Sequence, residues 1–161
     1  MPPPSNLVEL LETRVYPGMI EPESRILRAF IRKYGPTFDE FRFDQRVGPG
    51  VVLADYIPEK DRRDWERRTK ARPDVIAWRE PNEALIIEVK EQATLEACWQ
   101  VLSYTELYGA SFPSHRVRAA IVATEATLTA RQLAPVRGVD LYLFSFPASS
   151  PLAPGVETST S

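Results

Sequence analysis

The segment PDVIAWREPNEALIIEVK, residues 73–90, decides the fold of this chain. It holds two short apolar runs, at 74–78 and 84–89, which are joined by the polar connection REPNE. A proline and an asparagine between apolar runs are typical of a turn, so the segment predicts a β-hairpin. The run ALII shows no polar alternation, which is typical of a central strand covered on both faces. The second strand of the hairpin is therefore expected in the middle of a sheet.

Three polar residues lie at one end of the predicted hairpin: Asp74 begins its first strand, and Glu88 and Lys90 end its second. Side chains two positions apart on a strand point the same way, so Glu88 and Lys90 share a face. Asp74 joins them only if the register pairs it with position 88 or 90, which requires an odd-length connection or a bulge. A two- or four-residue loop without a bulge would separate the two carboxylates.

If the two carboxylates converge, their mutual repulsion favours a cation between them. Oxygen ligands without histidine or cysteine select a hard ion, so Mg²⁺ or Mn²⁺ is the expected cofactor. Such an ion lowers the pKa of a bound water, and Lys90 would orient that water or stabilise transition-state charge. The alternative is structural, with Asp74 as a cap and with Glu88 and Lys90 exposed at strand ends. The three residues alone leave both interpretations open.

Two helices and a strand are predicted before the hairpin. A short helix is expected over 7–16 and a second, amphipathic helix over 22–34. Alternating residues over 38–47 predict a strand, in which Val47 lies on the same face as Phe41. This part of the chain therefore contributes two helices and one strand to the fold.

After the hairpin, the sequence predicts a helix over 94–108, with Thr94 as its cap and Gly109 as its stop. A buried strand, a short helix broken by Pro135 and a last strand are predicted over 117–124, 128–138 and 139–146. The order of elements is thus helix, strand, strand, strand, helix, strand, helix, strand. Such an order predicts an α/β fold with a mixed central sheet flanked by helices.

The length of 161 residues is enough for one hydrophobic core, and 43% hydrophobic and 26% charged residues are ordinary for a globular domain. A single domain is therefore expected over 1–146. It includes a basic insertion at about 56–72, although the apolar stretch 51–57 that leads into this insertion is either a strand or part of it. The Pro-, Ser- and Thr-rich tail, 147–161, is expected to be disordered.

Composition excludes several classes of protein. The single cysteine, Cys98, and the single histidine, His115, are too few for a zinc site, an HEXXH protease or a histidine-metal nuclease finger. A lone cysteine in an apolar helical pattern agrees with a reducing compartment. No apolar run reaches the roughly 18 residues of a membrane span, and the start lacks the order of a signal peptide. An intracellular, cytoplasmic protein without a membrane partner is therefore expected.

Charge is unevenly distributed along the chain. The net charge of −2 and the pI of about 5.6 argue against a protein that wraps nucleic acid with its whole surface. The run from Lys60 to Arg72 nevertheless holds seven basic and three acidic residues. It is interpreted either as a solvated segment with internal ion pairs or as a phosphate-contacting insertion. The candidates for contacts with nucleic acid in this run are Arg62, Arg63, Arg67, Arg68, Lys70 and Arg72.

The motif formed by Pro73 and Asp74, followed by Glu88, Val89 and Lys90, resembles the signature of the PD-(D/E)XK nuclease superfamily. The resemblance covers about residues 20–125 and includes the αβββαβ order that this family shares. It implies a restriction-endonuclease-like core. It also implies that Asp74, Glu88 and the backbone carbonyl of Val89 bind the metal, with Lys90 at the nucleophile.

Two further matches resemble the family. Gln100 and Tyr104 lie on one helix face and are similar to the Q-x-x-x-Y element of the RecB-like and phage exonuclease-like branch. A role at the site is favoured for Gln100. For Tyr104 a place in the core is favoured, although it stays among the candidates for contacts with nucleic acid. Glu23, on the stripe of the second helix that faces the sheet, matches a metal-associated glutamate of the family, which implies contact with the metal either directly or through water. Its alternative role is to complement the helix dipole.

The resemblance implies a metal-dependent deoxyribonuclease that hydrolyses DNA phosphodiester bonds in DNA processing, repair, recombination or defence against phages and mobile elements. DNA is the expected partner, and a homodimer or a larger complex would supply specificity. The alternative is a catalytically inactive nuclease fold that serves as a DNA-binding or assembly module. A third possibility is an unrelated α/β protein whose polar strand ends are structural.

Overall fold

The structure, a computed structural model, describes residues 4–47, 58–63 and 72–147. The predicted fold class is confirmed: a mixed five-stranded sheet is flanked by helices, and the elements follow the predicted order. They are α1 (Leu7–Glu12), α2 (Glu21–Tyr34), a 3-10 turn (Gly35–Thr37), β1 (Glu40–Phe43), β2 (Val75–Arg79), β3 (Glu83–Ala93), α3 (Leu95–Ser111), β4 (Arg116–Ala126), α4 (Leu128–Val136) and β5 (Val139–Leu143).

The five strands lie side by side in chain order, from β1 to β5. The β1–β2 and β2–β3 pairs are antiparallel, whereas the β3–β4 and β4–β5 pairs are parallel. Parallel neighbours need a crossover, and α3 and α4 provide the two crossovers. The central strand, β3, is therefore the one at which antiparallel pairing changes to parallel pairing.

Each face of the sheet is covered by its own hydrophobic core. On one face, buried residues of α2 such as Leu27 and Phe30 pack against Ile87 and Val89 of β3. On the other face, Cys98 and other buried residues of α3 and α4 pack against the opposite side of the same strand. Because both faces are covered, β3 is apolar over most of its length, as the run ALII predicts.

Two predicted helix ends are wrong. The first helix ends at Glu12 and not near Tyr16, because the next residue is extended and its carbonyl accepts hydrogen bonds from the Arg28 side chain at 3.0 and 2.6 Å. The third helix runs through Gly109 to Ser111, because glycine in a helix costs only about 1 kcal/mol. Thr94 does cap this helix, since its hydroxyl oxygen accepts from the backbone N–H of Ala97 at 3.1 Å.

The strand predicted over 38–47 is also shorter than expected. It ends at Phe43, and Asp44 adopts the left-handed conformation with φ 56°. This kink turns the chain, so that Val47 packs in the α3-side core while Phe41 packs in the α2-side core. The prediction that the two residues share a face is therefore wrong, because strand alternation is lost where the backbone leaves the extended region.

At the carboxyl end, Pro135 lies in the last turn of α4, and Gly138, with φ 75°, ends that helical segment. The last strand, β5, stops at Leu143. The apolar stretch 51–57, residues 64–71 of the basic run and all but the first residue of the tail lie outside the described residues. Within the ranges that are described, no helix is both long and apolar enough to cross a membrane.

Candidate active site

The register of the central hairpin brings the predicted carboxylates together. Val75 pairs with Ile87 and Arg79 pairs with Glu83, so the connection between β2 and β3 is three residues long. One step beyond the first pair, the same register sets Asp74 opposite Glu88. The odd-length connection that the sequence analysis requires is therefore present.

Alternation of side chains then fixes the face on which these residues lie. Ile76 and Trp78 of β2 belong to the core on the α3 side, as do Ala84 and Ile86 of β3. Positions 74, 88 and 90 continue the same alternation. Asp74, Glu88 and Lys90 consequently share the α3 side of the sheet, at the end of the hairpin farthest from its turn.

Short contacts hold this group in place. The Asp74 Oδ2 atom accepts a hydrogen bond of 2.8 Å from the backbone N–H of Val89. The backbone N–H of Asp74 faces the Glu88 carboxylate and acts to lower the pKa of that group. The Lys90 Nζ atom lies 3.6 Å from the Glu88 Oε2 atom. The Asp74 carboxylate thus links the two strands, and Lys90 is the cation beside Glu88.

Glu88 is a buried acid with only 2% of its surface exposed. Burial, followed by the charge of Asp74, raises the pKa of the Glu88 carboxyl to about 8, although Lys90 acts in the opposite direction. A carboxyl group with such a pKa is largely protonated at neutral pH unless a further positive charge comes close. The single lysine therefore does not compensate the charges of this site.

The pKa of the Asp74 carboxyl is raised for the same principal reason, burial. The hydrogen bond from Val89 lowers it, the charge of Glu23 raises it, and Lys90 and Arg72 lower it. At both acids, therefore, the effect of burial on the pKa outweighs the effect of the cations nearby.

Glu23 approaches the site from the α2 side of the sheet. It is half-buried in the first turn of α2, and its Oε1 atom accepts a hydrogen bond of 3.4 Å from the backbone N–H of Ile20. Glu23 thus acts at the start of its own helix, as in the alternative interpretation of this residue. Its charge also raises the pKa of Asp74. No direct hydrogen bond joins Glu23 to the carboxylates within the described part of the chain.

Gln100 lies on α3, the helix that covers the face of Glu88. Its Nε2 atom donates a hydrogen bond of 2.8 Å to the Tyr104 hydroxyl oxygen, so the two residues of the Q-x-x-x-Y element contact each other. Tyr104 is half-buried and packs against the α3-side core. Among the described residues, Gln100 forms no hydrogen bond with Asp74, Glu88 or Lys90.

Of the basic candidates, the structure brings Arg72 to the site. Its Nη1 atom lies 2.8 Å from the Asp44 Oδ1 atom, and its charge lowers the pKa of Asp74. Arg63 forms an ion pair with Glu59 at 2.6 Å within the segment 58–63, to which Arg62 also belongs. The remaining candidates of the basic run, Arg67, Arg68 and Lys70, lie outside the described residues.

One acid at the site was missed by the sequence analysis. Asp44 follows β1, and the pairing of Phe43 with Val75 places it beside Asp74 at the same end of the sheet. Asp44 and Asp74 line a small cavity of about 120 Å³, which Arg72 also borders. The missing information was the β1–β2 register, since the two strands are separated by a long connection that the local pattern does not constrain.

The donor set of the site fits a partly hydrated hard cation. Among the described residues, no group of three histidine, cysteine or acidic side chains is arranged around one point as a complete metal cage. Mg²⁺ does not require such a cage, because it usually keeps several waters and binds through one or two carboxylates together with substrate phosphate. The pair of Asp74 and Glu88, both of which need positive charge, meets this smaller requirement.

Neither a protein-family model nor a curated protein matches the sequence of this chain. Similar folds occur among solved structures. A crystal structure of a repair endonuclease from Pyrococcus abyssi is 17% identical, with a TM-score of 0.46, over 76% of this chain and 47% of its own. A complex of EndoMS with dsDNA2 is 16% identical, with a TM-score of 0.46, over 78% of this chain and 45% of its own.

A third similar structure is that of a protein of unknown function, which is 14% identical, with a TM-score of 0.47, over 76% of this chain and 57% of its own. The chain thus spans about half the length of the three proteins. At this identity the similarity concerns architecture and assigns no role to any side chain.

Proposed function

We propose that this protein is a metal-dependent nuclease that hydrolyses phosphodiester bonds of DNA. The observation that carries the proposal is the pairing of Asp74 and Glu88 on one face of the hairpin, where both carboxyl groups have raised pKa values. A purely structural pair at strand ends would be exposed, whereas Glu88 is 2% exposed. Burying two adjacent acids costs folding free energy, and a bound cation offsets that cost.

Asp74, Glu88 and the backbone carbonyl of Val89 are the proposed ligands of Mg²⁺ or Mn²⁺. The metal would supply a water of lowered pKa and would neutralise charge on the phosphate. The hydrogen bond from the Val89 N–H holds the Asp74 carboxylate at 2.8 Å and so sets its direction before any ion binds. Preorganisation of this kind lowers the cost of assembling the site.

Lys90 is the proposed catalytic cation. It is 36% exposed and lies 3.6 Å from the buried Glu88 carboxylate, so one end of the side chain is fixed and solvent still reaches it. From this position it stabilises charge that develops on the phosphate or orients the attacking water. Glu23 and Gln100 are proposed as supporting residues, Glu23 through its charge and Gln100 from the covering helix.

DNA is the proposed substrate because the motif resembles nucleases and because Arg72 and the neighbouring basic run lie next to the carboxylates in sequence. Arg72 is half-exposed and borders the cavity beside Asp74. Arginine forms bidentate contacts with phosphate oxygens, so it is suited to hold the strand that is cut. The net charge of −2 predicts that DNA binding is weak without the metal and falls steeply with added salt.

A cleavage panel tests the proposal. Linear duplex, single-stranded, circular and branched DNA are incubated with the protein in Mg²⁺, Mn²⁺ or EDTA, and products are resolved by electrophoresis. We expect metal-dependent cleavage of at least one form, and we expect Lys90→Ala to lower its rate at least about 100-fold, the range found when a group that stabilises transition-state charge is removed. The exposed residue Lys33 on α2 gives the control Lys33→Ala, which should cleave like the unaltered protein. Full activity of Lys90→Ala with an intact fold would refute the proposal.

The alternative is a nuclease fold that binds or assembles without cutting, and one observation favours it: among the described residues, no group of three histidine, cysteine or acidic side chains is arranged to hold a metal. Calorimetric titration with Mn²⁺ separates the two functions. A cutting site should bind Mn²⁺, and Asp74→Asn and Glu88→Gln should each abolish that binding, whereas Glu91→Gln, which alters an exposed acid of β3, should not. Absence of Mn²⁺ binding together with DNA binding would favour the inactive module.

A further inference from the structure

A second cavity lies on the α2 side of the sheet, at the opposite end of β3 from the carboxylates. Its volume is about 460 Å³, within the range of small-molecule pockets in proteins. The start of β3, the start of β4 and the end of α2 form its walls, together with Tyr142 from β5. The proposed nuclease function makes no use of this cavity.

The floor of the cavity is apolar and aromatic. Tyr142 makes edge-to-face contacts with Phe30 and with Tyr34, with ring centroids 5.0 and 5.1 Å apart. Tyr34 and Tyr142 are only half-buried, so part of each ring remains open to the cavity. Leu85 of β3 extends the apolar surface. A flat aromatic group fits such a floor, since aromatic rings prefer edge-to-face or offset contacts with each other.

The rim of the cavity is positively charged. Arg79, Arg116 and Arg118 line it together with Glu83, and Asp140 pairs with Arg118, so three cations face two acids and one positive charge is left over. The backbone N–H of Arg116 bonds the Asn82 carbonyl at 2.7 Å and fixes this residue at the entrance of β4. Within the described ranges, the Arg116 guanidinium has neither an ion-pair partner nor a hydrogen-bond acceptor.

The other two arginines are positioned by contacts of their own. Arg79 donates to the Thr37 carbonyl at 2.8 Å, lies 3.6 Å from Glu83, and stacks over the Phe38 ring at 4.9 Å from its centroid. Arg118 forms an ion pair with Asp140 at 2.5 Å. Two arginines are therefore held at the rim, while Arg116 keeps all five of its donors for a ligand.

We infer that this cavity binds a nucleotide carrying a terminal phosphate, with the base on the tyrosine floor and the phosphate at Arg116. The Arg116 guanidinium is the charge left over after Arg79 pairs with Glu83 and Arg118 with Asp140, and its planar fork matches two oxygens of a phosphate group. An aromatic floor beside an arginine rim accommodates base and phosphate together. The nucleotide is either free or the phosphorylated end of a DNA strand, since the chemistry is the same.

The site is separate from the carboxylates. Leu85 and Glu88 lie three residues apart on β3, about 10 Å along the strand, and they point to opposite faces of the sheet. Binding at the cavity should therefore occur without divalent metal. Because the two sites are independent, the nuclease proposal can hold if the nucleotide site is absent. The nucleotide site can likewise exist if the protein does not cleave DNA.

Isothermal titration calorimetry of the full chain in EDTA tests the inference, with 2′-deoxyadenosine 5′-monophosphate as the probe. We expect saturable binding to one site, and we expect deoxyadenosine and inorganic phosphate each to bind at least about tenfold more weakly, because each lacks one half of the contacts. Phosphate that binds as tightly as the nucleotide, or a nucleotide that does not bind at millimolar concentration, would overturn the inference.

Variants locate the site. Arg116→Gln should weaken binding of the nucleotide at least about tenfold, since a charge-assisted hydrogen bond is lost. Arg32→Gln alters an exposed arginine of α2 that does not line the cavity, and it should bind like the unaltered protein. Lys90→Ala should also bind normally. Equal affinity of Arg116→Gln and Arg32→Gln, with both variants folded by circular dichroism, would contradict the assignment.

Competition distinguishes the two sources of the nucleotide. A single-stranded oligonucleotide with a 5′-phosphate and the same oligonucleotide with a 5′-hydroxyl are each added to the protein saturated with the probe. Displacement by the phosphorylated strand alone supports the inference with a strand end as the ligand. Retention of the probe against both strands supports it with a free nucleotide as the ligand. Equal displacement by both strands would overturn it, because internal phosphates would then suffice.

Discussion

At the scale of single residues, Glu88 is the acid of this site whose charged form is most disfavoured by folding. It is buried on a central strand and faces Asp74, and among the described residues Lys90 is its one close cation. In the folded chain its carboxyl group holds a proton up to a pH of about 8, compared with the usual value of 4.5. Folding without metal is therefore favoured by protonation of Glu88.

This shift predicts how stability depends on pH. Since the folded pKa of Glu88 lies above the unfolded one, its contribution is complete below about pH 4.5 and is lost as the pH rises through about 8. In EDTA, Glu88→Gln should raise the melting temperature by several degrees at pH 8 and by much less at pH 5, because glutamine carries no charge to bury. Thermal unfolding followed by circular dichroism at the two pH values measures the difference.

The neighbouring residue Glu91, which is exposed on the same strand, supplies the control. Glu91→Gln should leave the melting temperature unchanged at both pH values, since an exposed acid has no burial cost to remove. A Glu88→Gln variant that is equally destabilised at pH 5 and pH 8 would show that the carboxyl group makes contacts that depend on its shape and not on its charge.

The site could be predicted from the sequence only as far as local periodicity reaches. Glu88 and Lys90 share a face because they are two apart on one strand, which needs no knowledge of the fold. The position of Asp74 depended on the register, and only the three-residue connection determines it. Asp44 was not predictable, because β1 and β2 are distant in the chain and the pairing of Phe43 with Val75 is a tertiary contact.

At the scale of elements, two glycines that look alike in sequence have different roles. Gly109 lies inside α3, with no neighbouring atom within 4 Å of an added Cβ. Gly138 follows α4 and has φ 75°, a conformation that disfavours residues with a Cβ. Gly109 was predicted to stop a helix and does not, whereas Gly138, for which no such prediction was made, follows the end of one. The two positions differ in backbone conformation, which a glycine in the sequence does not by itself encode.

Replacing the two glycines with alanine should change the free energy of unfolding in opposite directions. Gly138→Ala should lower the free energy of unfolding by about 1 kcal/mol, because alanine is strained at a positive φ. Gly109→Ala should raise it by about 0.5–1 kcal/mol, because alanine is the better helix former and space is available. Urea denaturation of both variants provides the measurement. Changes of the same sign in the two variants would contradict the conformations described for these positions.

At the scale of the whole molecule, one sheet serves two hydrophobic cores, and β3 and β4 each have neighbouring strands on both sides. The fold class was predictable because the hydrophobic pattern along the chain gives the order of helices and strands. Strand lengths were less predictable: β1 is shorter and β3 longer than their patterns indicate, because pairing with neighbours extends or ends a strand. Local pattern thus determines the type of element, and tertiary pairing determines its length.

This architecture predicts a gradient of stability across the molecule. Backbone amides of β3 and β4 should exchange with solvent only through global unfolding, whereas those of α1, which buries Leu10 alone among its residues, should exchange at least about tenfold faster through local opening. Hydrogen exchange followed by NMR resolves the two classes. Equal protection of α1 and β4 would indicate that the molecule opens as a single cooperative unit.

The buried thiol of Cys98 has a practical consequence. Its side chain is fully enclosed between α3 and the sheet, and burial raises the pKa of the thiol, so that little thiolate is present. Alkylating reagents attack the thiolate and need access to it. The rate of alkylation therefore reports how often α3 separates from the sheet. Glu88 lies on the same face of the sheet as Cys98. The alkylation rate of this single native cysteine, measured by mass spectrometry, therefore reports on opening of the structure around the carboxylates without an introduced labelling site.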